Sequence, residues 1–175
     1  FTAIFFLPFM ATSAAQEPNF PTFSISATAG ACNEIELSFF PGDGSRRLII
    51  ACAGSPISEF PVDGTNYTGG SIFGTGTNLG NGNYVVYSGS GNNTTISGLD
   101  GGTEYYFASF EFNGVGNNSN YLITGYPEDN DIAPCISMTV LSSSGDICVG
   151  DSVQLQASGA LTYLWSPSSG LSSAT

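Results

Sequence analysis

Short runs of β-branched and aromatic residues, each closed off by a cluster of Gly, Asn, Asp or Pro, set the frame for what this chain can fold into. They recur at 23–27, 34–40, 46–53, 83–88, 93–99, 103–113 and 121–125. Seven such runs in about 110 residues predict seven antiparallel strands, the complement of a β-sandwich. Within 34–40, Ile35, Leu37 and Phe39 fall on one side and Glu34, Glu36 and Ser38 on the other, the pattern of a strand with one buried and one solvated face. Pro41-Gly42-Asp43-Gly44 and Gly89-Ser90-Gly91-Asn92 supply turns between strands. No window free of Gly and Pro carries apolar residues at helical spacing, so the expected class is all-β.

Composition then removes functions. The 175 residues carry 2 Lys+Arg against 14 Asp+Glu, no His, and a net charge of -12. Displacing counterions from phosphate takes a basic face, and Arg46 and Arg47 are the only cations present, so nucleic acid and anionic membranes are not expected partners. Without histidine there is no Ser-His-Asp or Cys-His activation and no His-based zinc site. Yet 41% of residues are hydrophobic and 13% aromatic, which separates the chain from disordered acidic tails.

The stretch 1–15 is apolar, ends in small residues including Ser13 and Ala15, and is followed by Gln16, Glu17 and Pro18. It reads as a secretory signal peptide, truncated at its start, with cleavage expected before Gln16. Its apolar run of about 12 residues is short of the roughly 20 that span a bilayer, which disfavours an anchor. Export implies an oxidising compartment in which Cys32, Cys52, Cys135 and Cys148 are expected to pair; none of the spacings is CxxC.

A second pattern follows the acidic segment 127–131. Residues 136–141 and 152–157 alternate, and 161–165 is an aromatic run ending at Trp165. These read as three strands of a second sandwich, 135–175, whose remaining strands are expected beyond Thr175.

Leu99-Asp100-Gly101-Gly102-Thr103-Glu104-Tyr105 resembles the fibronectin type III turn, in which a Leu plugs the sandwich end, a Gly permits the bend and a Tyr hydroxyl bonds back to the preceding backbone. Together with residues 42–50, 61–67, 82–87 and 111–114, it makes 16–134 similar to a fibronectin type III variant found in large secreted proteins of gliding-type bacteria with a type IX secretion system. Two positions depart from that pattern: Gly101 stands where the turn usually has Pro, and Phe39 where strand B often has Trp. Residues 147–155 and 163–167 resemble the opening of a PKD or Ig-like repeat. The resemblance implies structural roles for Leu99, Gly102, Tyr105 and Trp165. It also implies that Cys148 pairs with a cysteine beyond the chain end and that Cys32 pairs with Cys52, with Cys32 to Cys135 as the alternative.

Other features have plainer readings beside the chemical ones. Gly74-Thr75-Gly76-Thr77-Asn78-Leu79-Gly80 lacks the βαβ setting of a phosphate cradle and is expected to be a flexible loop. The long 54–82 connection is either a binding loop displaying Tyr67, Phe73 and Asn78 or a lid folded over the sandwich edge. Glu128, Asp129 and Asp131 could hold calcium between domains, against the reading of a solvated hinge. Asp43 and Asp63 precede Gly and read as turn formers. Glu104 and Glu111 share a strand but lie on opposite faces, which argues against a glycosidase pair. Sequons at Asn66, Asn92, Asn93 and Asn117 are expected to be silent, and Asp151-Ser152-Val153 resembles a short bacterial O-glycosylation motif.

The expectation is a non-catalytic structural or adhesion module of a secreted cell-surface protein, with no cofactor or catalytic residue, partnered by neighbouring domains and by surface glycans or proteins. The alternative is a carbohydrate-binding or accessory module of a secreted hydrolase, with Tyr84, Tyr87, Tyr121 or Tyr126 as stacking platforms.

Overall fold

The computed structural model describes residues 15–134 together with two later strands, 139–142 and 155–158. Strands β1 (Ser24–Ala29), β2 (Ile35–Phe40), β3 (Arg46–Ala53), β4 (Asn78–Gly80), β5 (Asn83–Gly89), β6 (Asn93–Ile96), β7 (Glu104–Asn113), β8 (Asn120–Tyr121) and β9 (Glu128–Ile132) make two antiparallel sheets. The smaller has the order β1-β2-β6. The larger runs β4-β5-β3-β7-β8, with β9 also paired to β7, so that β8 and β9 lie end to end along one edge. The protein is all-β and sandwich-like, and among the described residues its only helical turn is a 3-10 turn at Gly116–Asn118.

The alternation in β2 places Ile35, Leu37 and Phe39 between the sheets, where they meet Ile49, Ala51, Val86, Tyr105 and Phe107. In β3 the even residues Leu48, Ile50 and Cys52 face outward, yet they too are buried. Their cover is the 54–82 connection: Ile57, Tyr67 and Leu79 pack onto this second cluster with Phe110, Phe112 and Tyr121. A strand buried on both faces reads as an unbroken apolar run, as Leu-Ile-Ile-Ala-Cys does.

The connection is clamped rather than flexible. Its backbone bonds to β5 through Gly70 N to Val85 O at 3.1 Å and Val85 N to Thr77 O at 2.9 Å. It also forms a bridge between Ile72 and Ser97, the residue that follows β6. Phe73 closes the inter-sheet core against Tyr84 and Tyr105, with ring centroids 5.3 and 5.0 Å away. Asn78–Gly80, expected as loop, is strand β4. Buried Asn83 secures the closing turn, accepting from Ser58 N and donating to Ser58 Oγ, Gly80 O and Asn81 O.

Two boundaries differ from expectation. The 93–99 strand ends at Ile96, because Gly98 turns the chain at φ 71°. The strand expected at 121–125 is reduced to the two residues of β8, and the last strand lies at Glu128–Ile132 instead. Asp, Asn and Glu are poor strand formers, but β7 offers a row of unpaired backbone groups and a charged edge strand is well tolerated. Asp129 reinforces the join: its Oδ2 accepts Ala27 N of β1 at 2.8 Å and bridges the two sheets at their open edge.

Further along, β10 (Thr139–Ser142) pairs antiparallel with β11 (Leu155–Ser158), overlapping two of the three strands expected in 135–175. The third, with Trp165, lies outside the described residues, as do Cys135, Cys148 and 1–14.

Candidate functional site

Adjacent residues of a strand point to opposite faces, so Arg46 and Arg47 at the start of β3 have different fates. Arg47 turns into the sandwich end and is 5% exposed; Glu111, its direct partner on β7, is fully buried. Their closest nitrogen and oxygen are 3.8 Å apart. Arg47 Nη2 donates to Ser90 O at 2.7 Å, and Glu111 Oε1 accepts Gly42 N at 2.8 Å and Thr22 Oγ1 at 3.0 Å. Thr22 also meets Ser109 Oγ at 3.0 Å. Arg47 Nε and Glu111 Oε2 have no hydrogen-bond partner. Glu104 lies on the opposite face of β7, held by Tyr106 Oη and Asn130 Nδ2 at 2.7 Å each. The enclosed Arg47-Glu111 pair joins the N-terminal segment to the sheet. Arg47 is in phase with Ile49 and Ala51, and Glu111 with Tyr105 and Phe107, but β3 is apolar in both phases, so the sequence does not say which phase faces the inter-sheet core.

Arg46 points outward, and its guanidinium lies 5.7 Å from the centre of the Phe112 ring. It borders a cleft of about 320 Å³ between β3, β7 and the 54–82 connection, lined also by Asn66, Tyr67, Thr68, Ser88 and Tyr121. Tyr67 stands edge-on to Tyr121 at 5.7 Å, and Tyr121 packs on Phe112 at 4.9 Å. The phenols are held: Tyr67 Oη accepts Val62 N at 3.0 Å, and Tyr121 Oη donates to Thr65 O at 3.0 Å. Asp63 accepts Tyr121 N at 2.7 Å, which ties the connection to β8. Burial pushes the Tyr121 phenol above its usual pKa.

The other tyrosines proposed as platforms are each packed against a neighbouring ring. Tyr84 meets Phe73, Tyr87 lies 5.3 Å from Phe39, and Tyr126 lies 4.6 Å from Phe110. Burial raises the Tyr126 pKa; for Tyr106 the leading cause of a raised pKa is its hydrogen bond to Glu104. Asp43 is more than a turn former: its carboxylate accepts Phe20 N at 2.8 Å and Asn19 N at 2.9 Å. These bonds, led by Phe20 N, hold its pKa below the ordinary value.

At the 99–105 turn, Leu99 is buried in the inter-sheet core, Gly102 has φ 79°, and Tyr105 Oη accepts Asp100 N at 3.0 Å. The calcium grouping is not formed. Glu128 lies on the opposite face of strand β9 from Asp129 and Asp131, and those two are engaged locally, Asp129 with Ala27 N and Asp131 Oδ1 with Ile132 N. Among the described residues no three His, Cys, Asp or Glu side chains are grouped to hold a metal. The expected Cys32–Cys52 bridge is also corrected. Cys52 is an unbridged thiol in the outer cluster, near Ser55 Oγ at 3.4 Å. Its even position in β3 turns it away from the sheet whose β1–β2 turn carries exposed Cys32.

No protein-family model matches the chain, and no curated protein matches it in sequence.

Proposed function

We propose that this chain is part of a secreted, multidomain cell-surface protein in which the 16–134 unit is a non-catalytic spacer or display module of fibronectin type III-like kind. The observation that carries this reading is where the chain enters and leaves the sandwich. On entry, Gln16 O accepts Asn113 Nδ2 at 2.9 Å, at the end of β7; on exit, Ile132 lies opposite Glu104, at its start. The ten residues of β7 separate these points by about 30 Å at a strand's rise of about 3.3 Å per residue. Exit at the end opposite Gln16 directs the domain that follows away from the start of the unit. The β1-β2-β6 order facing β5-β3-β7-β9 supports the type III likeness, and the internal commitment of Glu111 and Glu104 supports a module without catalysis.

Pulling the full chain from its two ends by single-molecule force spectroscopy tests the proposal. A spacer unfolds the 16–134 unit in one cooperative step at resisting force. Gradual extension without a discrete event refutes it. The second reading, a carbohydrate-binding or accessory module, draws on the cleft beside Arg46.

A further inference from the structure

The Arg46 cleft combines three properties the spacer reading does not require. The Arg46 side chain makes no hydrogen bond or ion pair among the described residues, in a chain with 14 acidic side chains. Its guanidinium packs over the Phe112 ring. Asp63, beside the Tyr121 wall, accepts Tyr121 N. The guanidinium fork therefore faces a cleft with its donors unused, a geometry suited to a carboxylate. The wall is also rigid, since backbone partners fix both tyrosine hydroxyls and neighbouring rings brace Tyr67 and Tyr121. Finally, Asn66, Thr68 and Ser88 line the cleft with side chains that make no hydrogen bond among the described residues.

A fixed aromatic wall, several unused polar side chains and one fork for an anion fit a hydroxylated ring bearing a carboxylate. The volume of about 320 Å³ lies at the small end of ligand sites and suits one or two sugar units. A peptide adding to the sheet is less well served, because the edge strand beside the cleft, β8, has only two residues for it to pair with.

We propose that the cleft formed by Arg46, Tyr67, Thr68 and Ser88 binds an acidic saccharide, with a uronate carboxylate on the Arg46 guanidinium and its ring against Tyr67. This goes beyond the spacer reading, which rests on the entry and exit points and stands if the cleft binds nothing.

The test is ¹⁵N-detected NMR titration of the full chain with a trigalacturonate, a neutral galactose trimer, sodium acetate, inorganic phosphate and an acidic tetrapeptide. The trigalacturonate is expected to shift the Arg46 side-chain, Tyr67 and Ser88 signals and to saturate. The neutral trimer is expected to bind at least about tenfold more weakly, as loss of a charged hydrogen bond implies. Arg46→Gln should abolish binding, and Arg46→Lys, which keeps the charge but loses the fork, should weaken it about tenfold. Unchanged amide spectra elsewhere establish that both variants fold. Equal binding of the neutral trimer, equal or tighter binding of acetate, phosphate or the peptide, an unaffected Arg46→Gln variant, or no response of the unmodified chain to trigalacturonate each overturns the proposal.

Discussion

Replacing Glu111 by methionine, close to it in size, removes the acceptor of Gly42 N and Thr22 Oγ1 and strips a nearly enclosed arginine of its counter-charge. Breaking a buried pair from one side costs about 3–5 kcal/mol, because the remaining charge stays desolvated. For a domain of this size about 1 kcal/mol lowers Tm by roughly 3–5 °C, so a drop of about 10–20 °C is expected. Arg47→Met leaves Glu111 its two neutral donors and loses the Arg47 bond to Ser90 O, so about 2–3 kcal/mol is expected. The double variant buries no charge. It leaves Gly42 N and Thr22 Oγ1 short of a partner, at about 1–3 kcal/mol, and so should be more stable than Glu111→Met alone. Urea unfolding of the three variants, compared at unchanged m-value, measures the cycle. If the two single losses add to within about 0.5 kcal/mol of the double, the charges are not coupled and the reasoning fails.

Tyr105→Phe should lower stability by about 1–2 kcal/mol in urea unfolding by orphaning Asp100 N, and a loss under a few tenths would refute the bond's role. A Cβ on Gly76 would meet Val85 O, so Gly76→Ala should cost about 1–3 kcal/mol in thermal melting; an unaffected melt would show that the connection is not clamped. Asp43 has a lowered pKa, so its bond to Phe20 N persists above the ordinary value of 3.8 and is lost as pH falls through the lower folded value. The Phe20 amide proton should titrate with a midpoint below 3.8, and a midpoint at or above it would contradict the assignment. Cys52, 2% exposed, should resist iodoacetamide in the native chain and react only on unfolding, as peptide mapping would report; native labelling would place it elsewhere.

Much of the sandwich was legible because strand signals are local. The alternation through Ile35, Leu37 and Phe39, the unbroken apolar run in β3 and the Gly-Asn turns each reflect the two-residue period of a strand or the φ preference of a turn. β9 was not legible, since Glu-Asp-Asn-Asp has the composition of a linker and becomes a strand only when β7 presents an open edge. The Cys32–Cys52 pairing failed on parity: Cys52 shares the outward phase of Leu48 and Ile50, and that phase points away from Cys32. The Arg46 cleft had only a trace in the sequence, two adjacent arginines at a strand start.

Sequence alone determined that the chain forms short antiparallel strands with little charge to place inside them, because residue period and turn chemistry act within a few positions. Only the tertiary structure decided which of two neighbouring arginines is sealed against Glu111 and which faces an open cleft. That choice depends on the register of β3 against β7 and on a connection folding back over the sheet, contacts between residues distant in the chain, such as Arg47 and Glu111, that no local pattern encodes.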